Sequence, residues 1–195
     1  MILFINACVR DNSRTKRIAD YFLSKKNEDF VEVRLSECKF PVADENFINE
    51  RSRLVNEKDF DNPMFDLAKQ FADADEIVIA APFWDLSFPA ALKQYFEQIN
   101  VLGITFMYTA EGIPQGLCRA KKLYYITTAG GDFFPEEYGY GYVKALAQNF
   151  YGIKEVELIK ATGLDIDGAD EEQILCSCME NIGKRIIFLV YPSSK

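Results

Sequence analysis

Apolar runs and amphipathic stretches alternate along the chain. Residues 1–6 and 76–81 are nearly continuous apolar runs, as expected of strands that are buried on both faces. Residues 13–26 place apolar side chains at helical spacing, and residues 30–35 alternate with a period of two. Further strands are predicted at 123–127 and 156–159. Further helices are predicted at 63–73, from Ser87 to Leu102, at 135–151, and through Ile174, Cys178, Ile182 and Ile186.

This alternation predicts a single α/β domain over residues 1–195. We expect a doubly wound five-stranded parallel sheet in the order 2-1-3-4-5, with helices on both faces. Ligands bind such sheets at the carboxyl ends of the strands, where the strand order reverses, so functional residues are expected in the loops after strands one, three and four. Residues 103–116 interrupt the pattern with aromatic and turn residues. The charged segment 38–62 is predicted to be a connector or a lid, with a weak helix at 46–58.

Charge and composition exclude several classes of function. The 195 residues include 30 acidic and 22 basic ones, a net charge of −8, and no histidine. A negative field repels a phosphate backbone, so nucleic acid is not an expected partner. Without histidine there are no Ser-His or Cys-His nucleophile pairs and no histidine metal ligands. Five cysteines without zinc or redox spacing predict a cytoplasmic protein with no metal site; neither a signal peptide nor a membrane span is predicted.

The loop after the first strand has the character of an anion site. Hydroxyl groups and free backbone N–H groups gather there at a helix start, which suits a phosphate. The loop has no glycine, so it is neither a Walker loop nor a dinucleotide fingerprint. Arg14, Lys16 and Arg17 lie in the first helical turn, where the helix dipole disfavours positive charge unless a bound phosphate compensates it. The alternative is a plain N-cap at Ser13 or Asn12 beside solvated basic residues.

The loops after the third and fourth strands suit a flat ring. Phe83 and Trp84 stand directly at a strand end, where a heteroaromatic ligand could contact them. The alternative is that both rings simply cover the core. Gly130 and Gly131 follow the fourth strand and allow the backbone to approach a ring edge.

At these residues the chain resembles the azoreductase and quinone-reductase branch of the FMN-dependent NAD(P)H oxidoreductases, which have a flavodoxin-like fold. The resemblance covers essentially the whole chain and is strongest at 13–15, 81–93, 103–109 and 127–131. It implies that FMN is the cofactor and that Ser13, Arg14 and Thr15 bind its phosphate. The residues implied to lie against its ring system are Pro82, Phe83, Trp84, Asp85, Leu86, Thr128, Ala129, Gly130 and Gly131.

The resemblance also implies an activity. Hydride passes from NADH or NADPH through the flavin to a quinone, an azo compound or a similar flat acceptor, in a ping-pong cycle that needs no catalytic side chain. Protons come from solvent or from a nearby hydroxyl, for which Tyr108 and Tyr151 are candidates. In this family the active site lies at a two-fold interface, which implies a homodimer.

Aromatic residues are expected to form the acceptor pocket. Tyr108 matches the family's aromatic residue beside the nicotinamide and the substrate, and Phe150 matches a second one. Phe133 is expected to line the same pocket, together with Phe134, Tyr138, Tyr140 and Tyr142. The sequence departs from the family pattern at Ala129 and at Trp84-Asp85, which leaves the choice of acceptor open.

Three other functions are compatible with this fold. A flavodoxin-type electron carrier suits the acidic balance, but the 103–116 insertion and the absence of the carrier's threonine–glycine phosphate loop oppose it. A phosphate-switched response regulator needs acidic residues where Asn6 and Pro82 stand. A chain that kept the fold but lost the cofactor would be colourless and would not take up FMN.

Overall fold

The computed structural model describes the backbone of residues 1–190 and the side chains of residues 1–184. The strands are β1 Ile2–Asn6, β2 Phe30–Arg34, β3 Glu76–Ala80, β4 Phe106–Tyr108, β5 Pro114–Gly116, β6 Lys122–Thr128 and β7 Glu155–Ala161. The helices are α1 Arg14–Lys26, α2 Glu45–Glu57, α3 Asp66–Asp73, α4 Ala90–Ile99, α5 Gly139–Leu146 and α6 Glu171–Val190. The predicted helical position of the Ile186 side chain, and the end of the predicted domain at 191–195, lie outside the described residues.

Five strands form one parallel sheet in the order β2-β1-β3-β6-β7. Counted along the chain among the sheet strands, this is the predicted pattern 2-1-3-4-5. Alternate side chains of β1 enter two different cores. Leu3 and Ile5 pack with residues from α2 to α5, whereas Ile2 and Phe4 pack with residues from α1 and α6. The helices therefore cover both faces of the sheet.

Local sequence signals explain where several helices begin. The Ser13 hydroxyl accepts a hydrogen bond from the Lys16 amide at 3.3 Å and so begins α1. Asp44 caps α2 in the same way, at 2.9 Å from the Phe47 amide. The predicted weak helix at 46–58 is thus a complete, capped helix. The predicted helix at 63–73 is a short 3₁₀ turn, Pro63–Phe65, that continues into α3.

Two predicted helix starts are wrong. α4 begins at Ala90 and not at Ser87, because the Ser87 backbone is paired with Trp84 in a tight turn. α5 begins at Gly139 and not at residue 135, and after Leu146 it continues into a π-helix, Ala147–Tyr151. Residues 103–116 contain a hairpin of β4 and β5, whose three-residue strands are too short to leave a pattern. Among the described residues, no helix combines the length and the apolar character needed to cross a bilayer.

Candidate functional site

A cleft of about 390 Å³ opens at the carboxyl ends of β1, β3 and β6, where the strand order reverses. Eight of the predicted site residues line it: Ser13, Arg14, Thr15, Pro82, Phe83, Trp84, Thr128 and Gly130. The remaining lining residues, which the sequence did not indicate as site residues, are Val9, Arg10, Asn12, Asp165 and Glu171. Asp85, Leu86, Ala129 and Gly131 flank the cleft without lining it.

One end of the cleft is formed by the N-terminus of α1. The amides of Arg14 and Thr15 are the first two in the helix, and they donate to no acceptor among the described residues. Ser13 places its hydroxyl beside them. The Thr15 and Thr128 hydroxyls are buried and lie 2.7 Å apart, so they join α1 to the end of β6. Free amides, hydroxyls and a helix N-terminus form a donor set that fits a phosphate group.

The basic residues of the first turn of α1 are all paired with carboxylates. Arg14 contacts Asp165 at 2.7 Å and Glu171 at 3.2 Å. Lys16 pairs with Asp20 at 2.7 Å, and Arg17 with Glu172 at 2.8 Å. These cations are therefore partly exposed but already compensated by carboxylates, and they do not depend on a bound phosphate for compensation. The Arg14 guanidinium in turn lowers the pKa of Asp165 below its ordinary value, so this carboxyl is ionised near neutral pH.

The other end of the cleft carries the aromatic loop after β3. The Phe83 amide donates to the Thr128 carbonyl at 3.0 Å, which holds this loop against β6. Trp84 and Ser87 exchange two backbone hydrogen bonds across a two-residue turn, in which Asp85 and Leu86 both have positive φ angles, 50° and 62°. The Trp84 side chain is 40% exposed at the cleft, so it does not simply cover the core.

The loop after β6 runs along the loop after β7. The Gly130 carbonyl accepts from the Asp165 amide at 2.8 Å, and the Gly131 carbonyl accepts from the Gly163 amide at 3.1 Å. A Cβ atom on Gly130 would lie 2.2 Å from Asp165 Oδ2, so no larger residue fits at this position without a shift. Ala129 is buried, and its amide donates to the Ala161 carbonyl.

The residues predicted for the acceptor pocket lie outside the cleft of a single chain. Tyr108 is half exposed on β4 and packs edge-on against Phe106, whose ring also contacts Phe150 at 5.0 Å. Phe133 is 75% exposed on its loop. Phe134 does lie near the cleft, because its ring packs 4.6 Å from that of Phe83.

The other three tyrosines that were predicted to line the acceptor pocket do not line the cleft either. Tyr140 is buried and donates to the Val156 carbonyl at 3.1 Å, and Tyr142 packs against Phe88 and Phe96. Tyr138 is half exposed and precedes α5.

Tyr151 is not placed to supply protons to the cleft. Its side chain is buried, and its hydroxyl donates to Asn100 Oδ1 at 2.6 Å. Burial raises the pKa of Tyr151 well above its ordinary value. This tyrosine therefore has a structural role in the core, and its candidacy as a proton donor is wrong.

Sequence reasoning missed Asp165 and Glu171 for a topological reason. They follow β7, which is an edge strand of the sheet. Ligands are expected where the strand order reverses, at β1, β3 and β6, so this expectation does not extend to the loop after β7. The signal that could have found them is the acidic run between the last strand and the last helix, which the topology brings opposite the basic start of α1.

Comparison with known proteins identifies relatives over most of the chain. A family model described as flavodoxin-like fold matches residues 1–186. An FMN-dependent NADH:quinone oxidoreductase of Clostridium perfringens is 39% identical over 88% of this chain and 90% of its own length. A protein of the same name from Coprothermobacter proteolyticus is 35% identical over 92% and 94%.

A solved structure shows the same relationship in three dimensions. The azoreductase from Bacillus anthracis str. Sterne superposes with a TM-score of 0.81 at 26% identity, over 95% of this chain and 97% of its own. The chain therefore belongs to the family of the FMN-dependent NADH:quinone oxidoreductases and azoreductases, within the flavodoxin-like fold.

Proposed function

We propose that this protein is an FMN-dependent oxidoreductase that passes hydride from NADH to a quinone, an azo compound or a similar flat aromatic acceptor. The observation that carries the proposal is the cleft itself. It joins a helix N-terminus with unpaired amides to an exposed indole ring, within a volume of about 390 Å³. One end suits a phosphate and the other a planar ring system, which are the two ends of FMN.

The cleft residues divide between these two ends. Ser13, Thr15 and the free amides of the first turn of α1 would hold the phosphate. Pro82, Phe83 and Trp84 would lie beside the ring system, opposite the backbone of Gly130. Asp85, Leu86, Ala129 and Gly131 support this end through the two loops whose backbones they form. The chemistry that bound FMN supplies is hydride transfer in two alternating half-reactions, first from the nicotinamide and then to the acceptor.

In this proposal the residues of the cleft orient and enclose the flavin and the acceptor, and they do not exchange protons with them. The ionisable side chains that line the cleft are Arg10, Arg14, Asp165 and Glu171. Arginine stays protonated in proteins, and the pKa of Asp165 is lowered, so the two arginines and Asp165 cannot transfer a proton near neutral pH, and Glu171 is held in an ion pair with Arg14 at 3.2 Å. Solvent, which reaches the open cleft, supplies the protons for the reduced acceptor.

A homodimer completes the proposed active site. Tyr108, Phe133 and Phe150 do not line the cleft of one chain, and Tyr108 and Phe133 expose large apolar surfaces. A second chain that covers these surfaces would bring aromatic residues to the acceptor side of the ring. Sedimentation analysis should give twice the mass of the chain, and a monomer that still turns over quinone would contradict this arrangement. We further propose a reducing, cytoplasmic location, because all five cysteines are free thiols.

The test of the proposed function is a two-part assay on the purified protein. The protein should take up FMN with a change in the visible flavin spectrum. It should then oxidise NADH rapidly when a quinone is present. FMN uptake without NADH oxidation would favour an electron carrier instead. A protein that stays colourless in excess FMN would contradict the proposal.

A further inference from the structure

Two carboxylates line the cleft beside the helix N-terminus that suits a phosphate. Asp165 lies on the loop after β7, and Glu171 is the first residue of α6. The only basic lining residues among those described are Arg10 and Arg14, so the formal charges around the cleft cancel. A site for a dianion is normally positive, because like charges at close range repel. Asp165 and Glu171 are therefore unexpected at a site that suits a phosphate.

Both carboxylates are directed at Arg14. Its two terminal nitrogens contact the Asp165 oxygens at 2.7 and 3.3 Å, and Nη1 also donates to Glu171 at 3.2 Å. The same nitrogen lies 3.5 Å from the Leu164 carbonyl oxygen. The guanidinium expected to bind the phosphate is thus already neutralised by the protein's own residues.

The loop after β6 also fixes the position of Asp165. Its amide donates to the Gly130 carbonyl at 2.8 Å, and its carboxylate fills the space that a Cβ atom on residue 130 would occupy. Asp165 is therefore held between the α1 N-terminus and the glycine loop. This contact differs from an ordinary surface ion pair such as Arg17 with Glu172, which lies outside the cleft.

We propose, on the basis of the function proposed above, that Asp165 and Glu171 limit the affinity of this protein for the phosphate of FMN. They occupy Arg14 and repel the incoming dianion, so the protein discriminates less between FMN and the unphosphorylated riboflavin than the hydroxyls and amides of the loop alone would allow. Asp165 makes the larger contribution because it contacts Arg14 through both oxygens, whereas Glu171 contacts it through one.

The test compares flavin affinities of charge-neutral variants. The FMN-free full-length protein is titrated with FMN and, separately, with riboflavin, and binding is followed by flavin fluorescence. We expect Asp165→Asn to lower the Kd for FMN about tenfold and Glu171→Gln to lower it less, because each removes one repelling charge and releases Arg14. The Kd for riboflavin, which has no phosphate, should stay within about twofold.

Glu172→Gln is the matched control. Like Glu171, Glu172 is a carboxylate of α6 that pairs with an arginine of α1, but its partner Arg17 does not line the cleft. This variant should leave both flavin affinities unchanged. An equal gain for FMN in this control would show that only the net charge of the protein matters and would overturn the inference.

The other outcomes are also decisive. Weaker FMN binding by Asp165→Asn would show that Asp165 positions Arg14 for the phosphate, and unchanged binding would show that its carboxylate has no net effect on the site. Either result would overturn the proposal. An equal gain for FMN and riboflavin would place the effect at the ring and overturn it too. If thermal unfolding shows that Asp165→Asn does not fold, Glu171→Gln decides alone, with unchanged FMN affinity as the contradicting result. A wild-type protein that binds neither flavin would overturn the proposed function and this inference with it.

Discussion

Two adjacent residues of the aromatic loop adopt a left-handed backbone that neither strongly favours. Asp85 and Leu86 close the turn between Trp84 and Ser87 with φ angles of 50° and 62°. This is the geometry of a two-residue type I′ turn, in which glycine is preferred at the second position. Strain of this kind often marks a ligand site. Here the turn with these two φ angles lies in the loop that presents Trp84 to the cleft.

Leu86 is the residue at which this strain can be measured. We expect Leu86→Gly to raise the free energy of unfolding by about 1 kcal/mol, because glycine adopts positive φ without a Cβ clash. Leu86→Ala is the control, since alanine keeps the clash and should give no such gain. Urea denaturation of the FMN-free protein measures both. A gain in Leu86→Ala equal to that in Leu86→Gly would show that the turn is not strained.

The cysteines differ strongly in their surroundings. Burial raises the pKa of Cys8 to about 11 and that of Cys118 to about 12, whereas Cys176 is exposed on α6. Only the thiolate reacts with disulfide reagents, so at pH 8 Cys8 should react about a hundredfold and Cys118 about a thousandfold more slowly than an ordinary exposed thiol. A thiol-exchange reagent monitored by absorbance measures this. The fast phase should lose the amplitude of one thiol in Cys176→Ser, because Cys176 is exposed whereas Cys38 and Cys178 are partly buried; an unchanged amplitude would mean that Cys176 is not the fast-reacting thiol.

At the scale of elements, the site depends on how α1 is fixed to the sheet. The Thr15 and Thr128 hydroxyls are buried and lie 2.7 Å apart, and they join the first turn of α1 to the last residue of β6. The same contact brings the end of the cleft that suits a phosphate next to the glycine loop. A buried hydroxyl that loses its partner is costly, so this pair should be energetically coupled.

A double-mutant cycle measures that coupling. We expect Thr15→Val and Thr128→Val each to destabilise the FMN-free protein by about 1–3 kcal/mol, because each leaves one buried hydroxyl unpaired. The double variant should lose less than the sum of the two, with a coupling of about 1 kcal/mol. Chemical denaturation gives all four values. Additive losses would contradict a direct hydrogen bond between the two hydroxyls.

The parts of the site that sequence could predict are those that depend on local pattern. The buried strands and the capping serine of α1 have signatures within a few residues, and the strand order follows from the alternation of elements. Asp165 and Arg14 are separated by 151 positions, so their contact depends on tertiary structure alone. The turn at Trp84 was also hidden, because its second position is Leu86, where glycine is the usual signal. The hairpin of β4 and β5 was too short to predict.

At the scale of the whole molecule, the cleft joins elements from both ends of the chain. α1 and α6 pack on one face of the sheet, so the acidic start of α6 meets the basic start of α1. The opposite core holds α4 and α5, and no element among the described residues covers the half-exposed Tyr108 or the exposed Phe133. One chain thus forms the whole of the cleft proposed for FMN, and we propose that a second chain completes the acceptor pocket.

The most direct test of the account is a crystal structure of the protein grown with FMN. We predict that the phosphate lies within hydrogen-bond distance of the Ser13 hydroxyl and the amides of Arg14 and Thr15. The isoalloxazine ring should lie beside Trp84, with its edge against the Gly130 backbone. Flavin bound elsewhere, or a cleft closed by the protein's own side chains in the presence of saturating FMN, would contradict the account.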